Sequence, residues 1–222
     1  LRDQTAAMPE AAAVARRRST YLPELPGSKT EGLAVAYEPY EYSRVEDIDY
    51  EGAPRSEVLR GLAAGGVVPG KVYAQDSGLE VGDPVRLEGA SGTRVARIVG
   101  IADTFDAGGS VVQMSLDTVA AIYGVRTDSQ LAIKATSPEA RDALARRVEA
   151  LLEREYPALE ALSNAEFKRR TEDEINQQIG FCNAIDAIAV LVGVLAILNT
   201  LAVSVLERTR EMLGRGVRRR RL

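Results

Sequence analysis

The pattern of apolar and polar residues divides the chain into a part with many short runs and a part with one long apolar run. Short runs that are apolar throughout, or at alternate positions, are typical of β-strands. They lie at 32–37 (GLAVAY), 83–89 (DPVRLEG), 93–103 (TRVARIVGIAD), 110–114 (SVVQM) and 130–135 (QLAIKA), with further candidates near Val14 and at 67–68. The Gly/Ser-rich residues 89–92 lie between two alternating runs and predict a hairpin turn.

Helix signals lie between these strands. Short helices are predicted over 57–64 and 116–123, the second ending at Gly124, and a short helix or strand over 71–75. Residues 137–139 (Ser-Pro-Glu) predict the start of a helix that runs to about Glu155. Its apolar stripe comprises Ala143, Leu144, Val148, Leu151 and Leu152. A strand predicted over 159–162 would complete a βαβ-like unit.

A different pattern begins at Ser163. Ser163 and Glu166 have the spacing of a capping box, and a single helix over about 164–212 is predicted. Its residues 164–184 would form a stalk about 31 Å long. The apolar positions Phe167, Ile175, Ile179 and Cys182 lie near one face of that stalk, which indicates packing against a partner helix rather than a cofactor site.

The long apolar run covers residues 185–206 and contains a single charge, Asp186. A helix of that length extends about 33 Å, which matches the hydrocarbon thickness of a bilayer. Lys168, Arg169 and Arg170 precede it, whereas seven arginines follow it: Arg208, Arg210, Arg215 and Arg218 to Arg221. This asymmetry predicts a cytoplasmic C-terminus in the cell membrane, with residues 1–184 extracytoplasmic. The alternative is a soluble protein with a buried apolar hairpin.

The charge balance of the two ends differs in sign. Residues 1–184 hold 21 Lys and Arg against 29 Asp and Glu, a net of −8, while residues 207–222 hold 7 Arg against 2 Glu, a net of +5. Because phosphate contacts need clustered cations, the acidic body argues against nucleic-acid binding. We expect the basic end to contact anionic membrane lipids.

The composition offers little chemistry. The chain contains no His and one Cys, so neither a disulfide within the chain nor a His/Cys metal site can form. The paired acids at 47/49 and 103/106 are interpreted as solvated loop residues rather than an acid–base pair. We expect no catalytic residues, no cofactor, no metal and no enzymatic activity. Residues 38–56 receive no structural assignment, although the acidic, Tyr-rich part over 38–50 is a candidate contact for a partner.

Several stretches occur together in one order. They are GLEVGDPVRLEG (78–89), RVARIVGIAD (94–103), VVQMSLDTVAAIYGV (111–125), the Ala/Arg-rich helix over 138–155, and LAILNTLAVSVLERTREM (195–212). In this order, and with the last piece at the end of a membrane helix, the chain resembles the FtsX/MacB-type ABC transporter permeases. The resemblance covers roughly residues 8–221.

This resemblance implies an extracytoplasmic domain between two membrane helices, a cytoplasmic ABC ATPase as partner, and a permease dimer. It implies that Glu207, Arg208, Thr209, Arg210 and Glu211 begin a helix that seats in the ATPase. Glu207 and Glu211 are four residues apart and share one helix face. Binding of this segment to lipid headgroups is the alternative.

Two residues within the apolar run point to contacts between helices. Asn199 is a polar amide at membrane depth, and the small Thr200 follows it. Polar residues at that depth usually face a neighbouring helix, so we expect helix packing here rather than substrate contact. After ERTREM the chain departs from the family pattern, because an Arg-rich end replaces a further apolar helix. Because an extracytoplasmic domain must be carried across the membrane, we expect the chain to be part of a longer permease with a preceding membrane helix.

The sequence thus predicts an α+β fold with a small β-rich subdomain and a βαβ-like subdomain. The predicted divisions are an extracytoplasmic domain (1–163), a stalk helix (164–184), a transmembrane helix (185–206) and a cytoplasmic basic segment (207–222). The predicted function is that of a permease subunit that transmits ATPase-driven movement outward, for export or mechanotransmission. The alternative is a single-pass anchored ligand-binding or sensor domain, which predicts a ligand pocket within residues 20–130 and no ATPase.

Overall fold

The computed structural model describes residues 1–104 and 106–167, together with residues 169, 185, 186, 188–192, 194 and 195. The chain forms two compact units, Leu1–Glu160 and Ala161–Leu222.

The first unit combines strands and helices in an α+β arrangement, as predicted. Its strands are β1 (Ala11–Leu22), β2 (Gly32–Tyr37), β3 (Asp49–Glu51), β4 (Val68–Pro69), β5 (Pro84–Gly89), β6 (Gly92–Arg97), β7 (Ile101–Asp103), β8 (Val111–Ser115) and β9 (Gln130–Ala135). Its α-helices are α1 (Arg2–Ala6), α2 (Pro39–Val45), α3 (Arg55–Ala63), α4 (Lys71–Ser77), α5 (Leu116–Tyr123) and α6 (Arg141–Glu155). A short turn, in which Ala107 and Gly108 have left-handed backbone angles, covers Asp106–Gly109.

A five-stranded mixed sheet forms the centre of this unit, with the strand order β4-β8-β2-β1-β9. Strand β1 is antiparallel to both β2 and β9, whereas β2 and β8 are parallel, with Val35 opposite Gln113. Two smaller antiparallel pairs, β3–β7 and β5–β6, complete the strands. The predicted hairpin is β5–β6, with its turn between Gly89 and Gly92.

Both faces of the central sheet are covered, because neighbouring residues of its strands contribute to two different cores. Ala34 and Ala36 of β2 belong to one core, which includes side chains from the β5–β6 hairpin and α5. Val35 and Tyr37 belong to the other core, which includes side chains from α2 and α3. Strands buried on both faces appear in the sequence as continuous apolar runs, and GLAVAY is one of them. The β-rich part predicted from the sequence therefore shares a core with the central sheet.

The ends of α5 are fixed by local chemistry. The Ser115 side chain accepts a hydrogen bond from the N–H of Thr118 at 3.2 Å, which caps the first turn. Gly124 ends the helix with a φ of 71°, in the left-handed region where glycine carries no side-chain penalty. The prediction of this helix over 116–123 is confirmed.

Two predictions around α6 were wrong. The helix begins at Arg141 rather than at Ser137, because the Ser137 hydroxyl accepts the N–H of Ala140 at 3.3 Å and closes a separate turn before it. Residues 159–162 form no strand. Leu159 and Leu162 are exposed, because a segment of four residues is too short to bury an apolar face. The predicted βαβ-like unit therefore lacks the strand that would follow β9 and α6.

The second unit begins with the predicted capping box. The N–H of Glu166 donates to the Ser163 hydroxyl at 3.1 Å, and residues 164–167 are helical. Residues 185, 186, 188–192, 194 and 195 are also helical. No helix among the described residues is long and apolar enough to cross a membrane. Most of the predicted stalk and spanning helix and all of the basic segment lie outside the described residues.

Candidate functional site

The acidic, Tyr-rich segment over 38–50 forms a helix and the start of a strand. A carboxylate oxygen of Glu38 accepts the N–H of Glu41 at 2.5 Å, and Pro39 occupies the first helical position, so α2 begins here. The chain then extends into β3, which pairs with β7. This geometry determines which side chains of the segment face the core and which face solvent.

The tyrosine cluster, formed by Tyr37 of β2, Tyr42 of α2, Tyr50 of β3 and Gln113 of β8, connects α2 and β3 to the central sheet. The rings of Tyr37 and Tyr42 stack with centroids 4.3 Å apart and planes 14° apart. The Tyr37 hydroxyl donates to Oε1 of Gln113 at 2.6 Å and lies 3.4 Å from the Tyr50 hydroxyl. Burial raises the pKa of both Tyr37 and Tyr42 well above that of an exposed phenol. Hence Tyr42 and Tyr50 pack toward the core, and Tyr40 is the one tyrosine of this segment that is largely exposed.

An ion pair borders the tyrosine cluster. Nη2 of Arg17 in β1 lies 2.6 Å from Oδ2 of Asp106, and both side chains are mostly buried. Burial lowers the pKa of Arg17, but the charge and hydrogen bond of Asp106 outweigh it and raise the pKa overall. Asp106 lies in the turn Asp106–Gly109, where Ala107 adopts a left-handed φ of 48°. The ion pair therefore holds an otherwise unfavourable turn against the central sheet.

Exposed acidic side chains lie along β3 and β7 and just before β3. Asp49 lies opposite Asp103 in the antiparallel register, and Glu51 of β3 pairs with Lys71 at 2.5 Å between Oε1 and Nζ. The hydrogen bond and charge of Glu51, followed by the charge of Asp103, raise the pKa of Lys71. Asp47 pairs with Arg55. Lys71 and Arg55 thus pair with Glu51 and Asp47, while Asp49 and Asp103 lie opposite each other on the same charged face.

A shallow cleft of about 240 Å³ lies beside this charged face. It is lined by Glu51, Lys71, Ala74, Gln75, Gly78, Leu79, Glu80 and Ile101. Sites for small ligands usually have a volume of about 300–1,000 Å³ and a mostly apolar lining. The cleft is therefore small for such a site and is bordered by an ion pair.

The family is decided by a match over most of the first unit. The model of the MacB-like periplasmic core domain matches residues 1–151. The chain belongs to this family. The match confirms the resemblance to the extracytoplasmic domain of FtsX/MacB-type ABC transporter permeases that the sequence motifs indicated.

Two solved structures are similar to the chain at low identity. The periplasmic region of MacB from Actinobacillus actinomycetemcomitans is 12% identical, with a TM-score of 0.46 and coverage of 68% of this chain and 72% of that one. The extracellular domain of the noncanonic ABC-type transporter YknZ from Gram-positive bacteria is 12% identical, with a TM-score of 0.47 and coverage of 70% and 81%. Among curated proteins, none matches the chain.

Membership of the MacB-like family gives the first unit its role as the periplasmic domain of a transporter permease. The predicted ATPase-coupling residues lie outside the described residues: Glu207, Arg208, Thr209, Arg210 and Glu211. The helix-packing residues Asn199 and Thr200 lie outside them as well. No group of His, Cys, Asp and Glu side chains that could hold a metal ion is present in the part of the chain that the structure describes.

Sequence reasoning missed the ion pair between Arg17 and Asp106. A signal for it was present, because three consecutive arginines, 16–18, lie inside a strand. Successive side chains of a strand point to opposite faces of the sheet, and both faces of this sheet are covered. At least one of the three arginines therefore points toward a core and needs an acidic partner. The identity of that partner depends on a turn almost 90 residues later, which no local pattern specifies.

Proposed function

We propose that the chain is part of the membrane subunit of an ABC transporter and transmits ATPase-driven movement to its periplasmic domain. The match of residues 1–151 to the MacB-like periplasmic core domain carries this proposal. ATP hydrolysis belongs to a separate cytoplasmic ATPase. The movement serves export of a substrate or action on an extracytoplasmic partner, and the permease acts as a dimer.

The membrane location is supported by the exposure of the apolar side chains in the described part of the apolar run. Between 48% and 66% of the surface of Ile185, Ile188, Val190, Leu191, Val192, Val194 and Leu195 is accessible. A cluster of apolar side chains of this size is costly in water and favourable in lipid. The Lys and Arg asymmetry then favours a periplasmic first unit and a cytoplasmic C-terminus in the cell membrane.

Coupling to the ATPase is assigned to residues 207–211, which follow the apolar run directly. Tilting of the membrane helix on ATPase closure would carry the stalk and the periplasmic domain with it, as a rigid-body movement. Asn199 and Thr200 would contact a neighbouring membrane helix, and Arg218 to Arg221 would contact anionic lipid headgroups.

The proposal is tested by purification of the full-length permease in detergent, with ATPase partners detected in the eluate. The test variant is Glu207→Lys/Glu211→Lys. The matched control is Glu149→Lys/Glu153→Lys, which has the same spacing and charge change on an exposed face of α6. We expect an ABC ATPase to copurify with the wild type and the control, and to be lost from the test variant.

The other outcomes separate the alternatives. An ATPase that copurifies equally with the test variant would place the coupling elsewhere and leave residues 207–211 as a lipid contact. No ATPase in any sample would favour the anchored ligand-binding or sensor domain. The cleft beside Glu51 and Lys71 lies within the residues where that alternative places its pocket.

A further inference from the structure

The first and last elements of the periplasmic unit lie side by side. Nε2 of Gln4 in α1 donates to Oε2 of Glu155 at 2.6 Å, and the Tyr156 hydroxyl donates to Oε1 of Gln4 at 3.0 Å. Further along, Nη1 of Arg147 donates to both carboxylate oxygens of Glu10, at 3.0 and 3.1 Å. The two sets of contacts join residues that are more than 130 positions apart in the chain.

The order of these contacts shows that the two segments run in opposite directions. Residue 4 contacts the end of α6, whereas residue 10 contacts a position two helical turns earlier, so the segment 4–10 is antiparallel to the helix. Arg147, Leu151 and Glu155 are four residues apart and lie on one face of α6. Leu151, at the position between the two polar contacts, is buried, and Leu144, Val148 and Leu152 of the same helix are buried as well.

We infer that the segment 4–10 and α6 form a clasp that holds together the first and last helices of the periplasmic unit. The clasp consists of the pair Glu10–Arg147, the contacts of Gln4 with Glu155 and Tyr156, and the buried stripe of α6. With the clasp closed, a displacement of the chain beyond residue 156 moves the whole unit. With the clasp open, the same displacement detaches α6 and leaves the sheet in place.

Electrostatics favours the closed clasp at neutral pH. Hydrogen bonding to its own backbone N–H, followed by the hydrogen bond from Arg147, lowers the pKa of Glu10. The carboxylate is therefore charged when it faces the guanidinium. The clasp deepens the proposed function, because an outward transmission of movement requires α6 to stay attached.

The test is hydrogen exchange of α6, measured by mass spectrometry on the full chain in detergent. The variants are Glu10→Arg, Arg147→Glu and the charge-swapped double variant. Arg146→Glu is the matched control, because it makes the same charge change at an exposed neighbouring position of the helix. Each single variant replaces an attraction between partly exposed groups by a repulsion, so we expect α6 to exchange about two- to tenfold faster. The swap should restore the wild-type rate.

Three results would overturn the clasp: unchanged exchange in both single variants, an equal acceleration in Arg146→Glu, or no recovery in the swapped variant. The exchange measurement needs no ATPase, so it can fail while the proposed function stands. Conversely, the absence of an ATPase from the purified permease would refute the proposed function and leave the clasp intact. If an ATPase copurifies, the rate at which the complex hydrolyses ATP should fall in the single variants and recover in the charge-swapped variant.

Discussion

The buried contact between Tyr37 and Gln113 allows a prediction of known size. In Tyr37→Phe the ring and its stacking on Tyr42 remain, but Oε1 of Gln113 loses the donor that lies 2.6 Å away. Gln113 is 1% exposed, so water cannot replace the donor without opening the core. A buried acceptor left without a partner costs about 1–3 kcal/mol of stability.

The expected readout is hydrogen exchange of the β2 and β8 amides. A loss of about 1–3 kcal/mol corresponds to exchange about 5- to 150-fold faster where these amides exchange through the opening of the core. Tyr40→Phe is the control, because Tyr40 is 50% exposed and lies in the next helix. The control should change these rates by less than twofold.

A second variant identifies the cause. Replacing both partners, in Tyr37→Phe/Gln113→Met, removes the orphaned acceptor as well as its donor, so the double variant should lose less stability than the two single variants combined. Rates in Tyr37→Phe within twofold of wild type would refute the reasoning. Strict additivity of the two single variants would show that the hydroxyl matters for another reason.

Two further predictions concern backbone approach and pH. A Cβ at Gly89 would lie 2.3 Å from the carbonyl oxygen of Ile122, so Gly89→Ala should lower the melting temperature more than Gly78→Ala does. At Gly78 the left-handed φ of 64° costs an alanine about 1–2 kcal/mol, but the surrounding space is open. Equal melting temperatures of the two variants would contradict this. Burial raises the pKa of Tyr37 strongly and that of Tyr73 to about 12, so the folded state keeps these protons above pH 10 while the unfolded chain releases them. The stability that these two tyrosines contribute should be complete below about pH 10 and fall as the pH rises toward 12, as measured by thermal unfolding followed by far-ultraviolet circular dichroism. A melting temperature that stays constant between pH 10 and 12 would contradict this.

Elements with a complete local signal were predicted well. Strand β2 and strand β9 coincide with their apolar runs, and α5 lies between a serine cap and a left-handed glycine. In each case the residues that determine the element lie inside it or next to it. The family resemblance also came from sequence alone, because its motifs occur in a fixed order.

Elements that depend on distant residues were not predicted. Strand β3 has three residues, too few for any periodicity, and exists because β7 pairs with it about 50 residues later. The tyrosines over 38–50 suggested an exposed contact, yet Tyr42 packs inward because Tyr37 of β2 offers it a ring to stack on. The candidate coupling residues 207–211 stay a prediction.

The position of β1 in the central sheet has a consequence for the order in which the protein is made. Arg17 of β1 and its partner Gln130 of β9 are separated by 113 residues. A ribosome that adds about 5–20 residues per second needs roughly 6–23 s to supply that stretch. During this interval β1 presents an open edge to every other newly made chain nearby. Because of this strand order, the edge of β1 must be protected from other chains until residue 135 has been synthesised.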